Sequence, residues 1–437
     1  AYEIRLSLVG SEMCIRDSCY QTHGPIFRIK LFNSTVVVMA GPEANQFISR
    51  EGSSHLRSKE FWQGLVDEFG ARKSLINTDG EIHAQLRKVM KRGFSRGTVQ
   101  GQLKELIGIT DDMLDRDWQT GRDVEVVRAM QRMAAEQLGI MATGKAPGEY
   151  VNDLRLFIQT VLSVNITRHW PRIMLYSPAY RRAKRRVFEL GQKMIDGYDP
   201  NRGESEPRTL IDDIMAARAA DSTLFEGNEL MMAVLGPYFA GLDTVANITS
   251  AILYATLKHP EVYARVIEEV DRVFAAGPPT SEALGQMPAL HGTVMEALRM
   301  YPIAVAAMRN ATRDFVFAGH QVLADEPVYI AVTVCHFLPE FFVEPTRFDI
   351  DRFHPPRNEH RQRGAFAPFS LGEHTCLGAG MAEVQMMLTM ATLFHRLRME
   401  LVPANYELKL KVVPTPGPEM KFRVRVTGRR HAPAASS

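Results

Sequence analysis

The sequence predicts a single, mostly α-helical domain with a minor β part. Helical periodicity dominates from Glu81 onward, and short β-like runs are confined to the two ends of the chain. The strongest helical segment, Asn228–Lys258, stops before His259-Pro260 and would be roughly 45 Å long, which is the diameter of a domain. Because no internal repeat or linker divides the chain, we expect this helix to cross one common core.

The other elements follow in chain order. The first two predicted strands form a hairpin around Asn33-Ser34 and are Ile26–Leu31 and Thr35–Met39. Pro42 then begins a short helix that ends at Ile48. Further segments with helical spacing are 81–95, 97–117, 124–143, 148–164, 176–197, 208–219, 260–275, 286–300 and 377–396. The β-like runs that follow Tyr301-Pro302 are Ala311–Phe317 and Glu326–Ile330.

The composition is that of an ordinary globular protein with a large core. Of 437 residues, 45% are hydrophobic and 23% are charged, and the net charge of +2 gives no reason to expect nucleic acid as a partner. The four cysteines, at positions 14, 19, 335 and 376, form no CxxC pair, which favours a reducing compartment, the cytoplasm. The longest apolar run, Leu230–Leu257, carries Asp243 at its middle, so it predicts a buried helix rather than a membrane span.

One cysteine lies among glycines directly before a long helix. The segment Phe369–Gly378 reads FSLGEHTCLG, with the sulfur of Cys376 close to the predicted helix start. Backbone N–H groups and the helix dipole there favour a thiolate, which can act as a nucleophile or bind a metal. A buried structural cysteine is the alternative, but the flanking Phe369 and glycines favour a ligand.

Two further motifs lie on predicted helices. Glu296 and Arg299 share one face of an apolar helix and could form a buried ion pair that Arg352 completes; a surface pair is the alternative. In the long helix, Asp243 and Thr244 follow Ala240-Gly241. An acid next to an alcohol there could deliver protons, or it could be a polar stripe on a core helix.

In this order, the patterns AGxDT, ExxR and FxxGxHxCxG resemble those of the cytochrome P-450 (haem-thiolate monooxygenase) superfamily, in its soluble bacterial-like form, over roughly residues 20–428. The resemblance implies a single-domain cytochrome P-450 fold. Haem b would lie between the long central helix and the helix that follows the cysteine. Cys376 would be the axial ligand of the iron, with Phe369 beside its sulfur and with Gly378 and Ala382 small enough for the porphyrin to approach, and Ala240 would be a further cofactor-binding residue.

The resemblance also assigns roles to polar residues. The haem propionates would be bound by His83, Arg87, Arg309 and His374, although each could instead be a solvated surface charge. Many relatives carry arginine where this chain has His374. Asp243 and Thr244 would relay protons through water during oxygen activation, whereas Glu296, Arg299 and Arg352 would form a structural triad.

The implied activity is insertion of one oxygen atom from O2 into a lipophilic small molecule. Hydroxylation or epoxidation of a terpenoid, a steroid or a fatty-acid-like substrate fits the apolar segment Ile303–Ala307. Electrons would come from a separate reductase system through an acidic ferredoxin or flavodoxin. Its docking surface would be a basic patch formed by Lys88, Lys91, Arg92, Arg357, Arg361 and Arg363. We expect a monomer with neither nucleic acid nor a membrane segment.

Three alternatives remain open at this stage. A peroxide-driven haem-thiolate enzyme would often lack the acid–alcohol pair, and a haem-binding sensor or carrier would not need it. A cysteine-nucleophile enzyme without haem would be colourless. The expected domain limits are a non-native leader over residues 1–18, the haem domain over 19–428 and a disordered tail over 429–437.

Overall fold

The computed structural model describes residues 3–5, 19–31, 34–201 and 207–433. Its larger sheet has six strands in the order β1-β2-β3-β9-β6-β4. These strands are β1 (Glu3–Arg5), β2 (Ile26–Leu31), β3 (Ser34–Ala40), β4 (Leu56–Arg57), β6 (Ala307–Ala311) and β9 (Pro327–Ala331). β2 and β3 are antiparallel, with Ile26 opposite Met39. The predicted hairpin is therefore present, and its turn at 32–33 lies outside the described residues.

The remaining strands form three small sheets. They are β5 (Asp123–Glu125), β7 (Phe315–Phe317), β8 (His320–Val322), β10 (Leu397–Val402), β11 (Leu410–Lys411), β12 (Gly417–Pro418) and β13 (Arg423–Arg429). The prediction of one strand over Ala311–Phe317 is wrong, because β6 ends at Ala311 and β7 belongs to another sheet. Between them the chain bends at 312–314, where the Asp314 carboxylate accepts the Ala324 N–H at 2.7 Å.

Helices make up most of the structure, as predicted. The helices of the first half are α1 (Tyr20–His23), α2 (Gly41–Arg50), α3 (Gly52–His55), α4 (Lys59–Phe69), α5 (Gly80–Met90), α6 (Arg96–Gln100), α7 (Leu103–Asp117), α8 (Val126–Thr143), α9 (Val151–Val161) and α10 (Pro178–Asp196). Those of the second half are α11 (Leu210–Ala220), α12 (Asn228–Lys258), α13 (Pro260–Phe274), α14 (Ser281–Leu284), α15 (Pro288–Met300) and α16 (Ala379–Arg396).

The predicted helices 81–95 and 97–117 are shorter than expected. α5 ends at Met90 and α6 is separated from α7 at Gly101-Gln102. Gly93, in the connection after α5, lies so close to α11 that an added Cβ would be 2.7 Å from the Leu210 Cα. The close approach of two elements therefore ends a helix whose sequence would continue.

The long helix α12 runs through the core without interruption, despite Pro237 inside it. Gly241 brings it against α8, because an added Cβ would lie 2.9 Å from Leu138 Cδ1. α12 also packs against α15 and α16. The prediction that this helix crosses a single core is confirmed.

The chain ends differ from expectation. Arg429, assigned from the sequence to the disordered tail, instead ends β13. The next residue, Arg430, pairs with Asp271 at 2.6 Å, so this part of the tail is bound to the domain. Residues 434–437 lie outside the described residues, as does most of the segment 1–18. Among the described residues, none of the helices has both the length and the apolar character to cross a bilayer.

Candidate active site

The loop that carries Cys376 is closed by its own backbone. The Cys376 N–H donates to the Phe369 carbonyl at 2.9 Å, and the Thr375 N–H donates to the Gly372 carbonyl at 3.1 Å. Gly372 has a φ of 76°, and an added Cβ would lie 2.4 Å from the Ile48 carbonyl oxygen. Only glycine can therefore form this turn, which holds the cysteine directly before α16.

The environment of the sulfur is suited to a metal ligand. Burial raises the pKa of the Cys376 thiol above its ordinary value, while a hydrogen bond from the Gly378 backbone and the charge of Arg87 oppose the shift. The side chain is nevertheless exposed. The sulfur is therefore desolvated by its surroundings without being covered by them. Coordination to a metal ion would hold such a sulfur as thiolate.

The helix α12 presents one accessible face in an otherwise buried stretch. Its residues recur at helical spacing and are small: Ala233, Gly236, Ala240 and Thr244. An added Cβ at Gly236 would meet no atom within 4 Å. The neighbours Leu235 and Leu242, on other faces, are fully buried. At Gly236, therefore, no described residue fills the space directly in front of this face.

The small residues of the cysteine loop and of α12 leave room for a porphyrin. At Gly378 an added Cβ would make only ordinary contacts, 3.5 Å from Phe94 Cδ1 and 4.0 Å from the Cys376 sulfur. The protein alone does not require glycine there, but a flat group lying against the loop would. Together with a thiolate donor and a small-residue helix face, this satisfies the steric and chemical demands of haem.

Thr244 and Asp243 lie on adjacent faces of α12 and form no hydrogen bond to each other. The Thr244 hydroxyl donates to the Ala240 carbonyl at 2.5 Å, one turn back. Asp243 is nearly buried and accepts a hydrogen bond from Gln131 Nε2 of α8 at 2.7 Å. Gln131 therefore orients the carboxylate, a role that the sequence analysis missed.

Two cations lie near Asp243. Burial lowers the pKa of Arg155, on α9, and that of Lys411, on β11, and the charge of Asp243 opposes both shifts. The Arg155 Nε is buried without a hydrogen-bond partner. The acid of the acid–alcohol pair is thus surrounded by one amide and two cations from three different elements.

The two predicted propionate-binding histidines contact each other. The rings of His83 and His374 have centroids 4.2 Å apart. His83 Nδ1 lies 3.1 Å from Glu373 Oε1, and His374 Nε2 lies 2.9 Å from Asp79 Oδ1. Burial lowers the pKa of His83, and the charge of His374 adds to the effect. Both histidines are therefore held by carboxylates of the protein, which the sequence analysis did not anticipate.

The two predicted propionate-binding arginines have no such partners. Neither Arg87 nor Arg309 forms an ion pair with a residue that the structure describes. Arg309 is only 9% exposed, and its one hydrogen bond goes to the Met308 carbonyl at 2.7 Å. Burial lowers its pKa, although Asp79 and Glu373 oppose the shift. A buried guanidinium that no described carboxylate pairs with directly fits a site for an anionic group such as a propionate.

Glu296, Arg299 and Arg352 form a fully buried network. Arg299 binds the carboxylate of Glu296 with two hydrogen bonds of 2.7 Å, and Arg352 Nε donates to Glu296 Oε1 at 3.1 Å. Each of the three side chains is 0% exposed. Arg352 also pairs with Glu359 at 2.9 Å. Its remaining donors bind the carbonyls of Val343, Glu344 and Arg347.

His336 links this network to the cysteine side of the fold. Its Nδ1 lies 3.1 Å from the Arg299 carbonyl, and its Nε2 accepts the Ala367 N–H at 2.9 Å. Burial lowers the pKa of His336 to about 3, so the imidazole is neutral. No motif marked this residue, because its role depends on two backbone groups that only the folded chain brings together.

Comparison with known proteins agrees with this geometry. The family model for cytochrome P-450 matches residues 11–421. The chain is 27% identical to cytochrome P-450 139 of Mycobacterium tuberculosis, over 92% of this chain and 96% of that protein. It is 25% identical to a sterol 14α-demethylase of Mycolicibacterium vanbaalenii, over 93% and 90% respectively.

Two solved structures have the same fold. One is the haem domain of cytochrome P-450DA, with a TM-score of 0.83, 20% identity and coverage of 97% of this chain and 94% of that one. The other is a cyanobacterial CYP120A1 with retinoic acid bound, with a TM-score of 0.81, 23% identity and coverage of 98% and 100%. These matches imply haem b as the cofactor. The chain belongs to the cytochrome P-450 family and is a haem-thiolate monooxygenase.

Proposed function

We propose that this protein inserts one atom of O2 into a lipophilic small molecule, by hydroxylation or epoxidation, with Cys376 as the axial ligand of haem b. One observation carries the assignment of the site. The structure combines an accessible cysteine sulfur in a desolvated loop with an accessible face of small residues on α12. Haem supplies the activation of O2 when it is bound.

The acid–alcohol pair is proposed to move protons to the oxygen side of the site. Because the Thr244 hydroxyl donates to Ala240, its oxygen lone pairs remain available to a water molecule. Gln131 binds one oxygen of Asp243, and the other oxygen has no hydrogen bond to the described residues. Asp243 can therefore exchange protons with water while its orientation is fixed. This arrangement favours O2-dependent turnover over the peroxide-driven and sensor alternatives.

The substrate class follows from an apolar segment of the chain. Ile303–Ala307 is apolar, and Ala304 within it is exposed, which supports an apolar ligand next to it. The sterol 14α-demethylase relative and the neighbour with bound retinoic acid carry names of lipophilic ligands. We therefore propose a terpenoid, steroid or fatty-acid-like substrate.

Electron delivery uses a redox partner, and we propose an acidic ferredoxin or flavodoxin. Lys88, Lys91, Arg92, Arg361 and Arg363 are exposed and remain candidates for its docking surface. Arg357 is removed from the set, because it pairs with Asp349 at 2.7 Å and also binds Glu359. A monomer in the cytoplasm remains part of the proposal; Cys335 and Cys376, which form no disulfide with a described residue, agree with a reducing compartment.

The decisive experiment is a carbon monoxide difference spectrum of the reduced protein. Thiolate ligation by Cys376 predicts the red-shifted Soret band of a haem-thiolate complex, and Cys376→His should abolish it while haem remains bound. Turnover with NAD(P)H and a surrogate ferredoxin then separates the enzyme from a sensor. A colourless protein, or a Cys376→His variant with an unchanged spectrum, would reject the proposed ligand.

The docking surface has its own test. Arg361→Glu combined with Arg363→Glu should slow reduction by an acidic ferredoxin and weaken the dependence of the rate on ionic strength. Arg347→Glu is a matched control, because Arg347 is 67% exposed and paired with Glu344. Equal salt dependence in the double variant and the parent would exclude this surface.

A further inference from the structure

Outside the proposed haem site, one group of side chains has the composition of a metal site. Asp271, His395 and His431 each offer one ligand atom, and the three atoms lie within 4.8 Å of one another. The other such group among the described residues includes His83 and His374 and belongs to the proposed propionate site. Imidazole nitrogen and carboxylate oxygen are both donors that bind Zn²⁺ in proteins, so the first group needs an explanation of its own.

The distances between these atoms suit a single ion. Asp271 Oδ1 lies 3.3 Å from His431 Nε2 and 3.7 Å from His395 Nδ1. Ligands that lie about 2.0–2.1 Å from a tetrahedral zinc ion are about 3.3–3.4 Å from each other. The carboxylate oxygen is therefore already at, or close to, the separation from both nitrogens that coordination requires.

The imidazole of His395 has a ring nitrogen without a partner. Its side chain is only 11% exposed, and its Nδ1 is buried with no hydrogen bond to a described residue. The ring lies between two others, with centroids 4.2 Å from that of Phe274 and 4.3 Å from that of His431. A buried polar atom without a partner costs free energy, and an ion bound between His395 and Asp271 would remove this cost.

The folded end of the chain holds the other two ligands. Arg396 Nε donates to the His431 carbonyl at 3.1 Å, and the Arg430 N–H donates to the Arg396 carbonyl at 2.9 Å. The Arg430 guanidinium binds both oxygens of Asp271, at 3.2 Å and 2.6 Å, and so orients the carboxylate. The backbone of His431 and the carboxylate of Asp271 are therefore in place before any ion binds.

The ring of His431 has to turn for coordination. It is stacked on that of His395 with an angle of 7° between the planes, so the lone pairs of the two nitrogens do not converge. His431 is 45% exposed and can rotate about its Cβ–Cγ bond, whereas His395 is packed against Phe274 on its other face. A movement of one exposed side chain completes the site.

We propose that Asp271, His395 and His431 bind a zinc ion that fastens the end of the chain to α13 and α16. Asp271 lies on α13 and His395 on α16, whereas His431 follows β13. Three protein ligands leave the fourth position to water. Because the ligands meet only in the folded chain, the ion stabilises the bound position of residues 430–433. The proposal goes beyond the monooxygenase function and does not depend on it.

The test is calorimetric titration of the haem-loaded chain, without an affinity tag, with Zn²⁺. We expect one ion per chain, with a dissociation constant on the order of micromolar because the Arg430 cation lies next to the site. His431→Gln should weaken binding roughly tenfold or more, and so should His395→Gln. His320→Gln is the matched control, since His320 is an exposed histidine on β8, and it should bind Zn²⁺ like the parent.

Thermal unfolding gives a second readout. Zn²⁺ should raise the unfolding midpoint of the parent and of His320→Gln but not that of His431→Gln. Since His431 is partly exposed, His431→Gln should unfold like the parent when no metal is present, which separates lost binding from lost folding.

Three results would overturn the proposal. They are the absence of Zn²⁺ binding, equal affinity in the parent and His431→Gln, and several ions bound alike by all variants, which would show non-specific attraction. The carbon monoxide spectrum of each variant reports on the haem site separately, so none of these results affects the test of thiolate ligation.

Discussion

Two of the regions in which the described residues bury arginines balance the arginine charge differently. Arg299 and Arg352 lie in a network in which Glu296 and Glu359 balance their charge and backbone carbonyls accept their remaining hydrogen bonds. Arg309 is also buried, but it forms no ion pair with a described residue, Asp79 and Glu373 act on it only at longer range, and its one bond goes to a neighbouring carbonyl. A buried charge that the protein balances itself belongs to the fold, whereas one left unbalanced marks where a ligand's charge belongs.

The largest loss of stability is expected in the buried network, where carboxylates pair with both arginines. Arg299→Ala leaves the Glu296 carboxylate buried without the guanidinium that binds both of its oxygens and should destabilise the protein by ~3–5 kcal/mol, a large part of the stability of a domain. The measurement is urea unfolding followed by circular dichroism. Arg347→Ala, which removes only an exposed pair with Glu344, should cost less than ~1 kcal/mol. A loss no larger for Arg299 than for Arg347 would contradict the comparison.

Protonation of His336 makes the stability of the same region depend on pH. Because burial lowers its pKa from 6.5 to about 3, the folded state binds fewer protons than the unfolded state between these values. The stability that the neutral imidazole contributes is complete above pH 6.5 and is lost as the pH falls toward 3. The total is on the order of a few kcal/mol.

The matched variant is His336→Gln, whose amide can replace both hydrogen bonds but cannot be protonated. Urea unfolding between pH 7 and pH 4 should show a smaller loss of stability on acidification for this variant than for the parent. Parallel pH profiles would mean that His336 does not resist protonation in the folded protein.

The opposite behaviour is expected for Arg309. Arg309→Leu removes an unbalanced buried charge, so the haem-free protein should keep or gain stability. If Arg309 binds a propionate as proposed, haem should bind more weakly by ~1–3 kcal/mol, because the propionate would lose its charged donor. The checks are unfolding of the haem-free chain and the rate of haem transfer to a scavenger protein. An equal loss of stability with and without haem would place Arg309 with the structural arginines.

The motifs in the sequence identified the candidate site residues but not the side chains that bind to them. Spacing alone placed Glu296 and Arg299 on one helix face, and the long helix was predicted with its observed ends. Gln131, Asp79 and His336 carried no signal, since each acts through a residue far along the chain. Glu373 lies inside the cysteine motif, next to His374. As an acid beside a predicted propionate-binding residue, it could have been noticed in the sequence. The missed contacts are the ones that depend on tertiary packing.

The smallest effect is expected on the oxygen side of the site, where the side-chain amide of Gln131 orients the carboxylate of Asp243. Gln131→Leu removes the donor to Asp243 and leaves the carboxylate next to Arg155 and Lys411, so proton delivery should become slower and less directed. We expect the ratio of product to NAD(P)H consumed to fall about threefold to tenfold, with peroxide released in its place. The carbon monoxide spectrum should not change.

Two further variants test the cause. Gln131→Glu places a second acid next to Asp243 and should lower the ratio of product to NAD(P)H further. Gln137→Leu is the control, since Gln137 lies on the same helix but bonds to Thr110 and Thr389. If the Gln131 and Gln137 variants lose coupling equally, the effect comes from repacking of α8 and not from the orientation of Asp243.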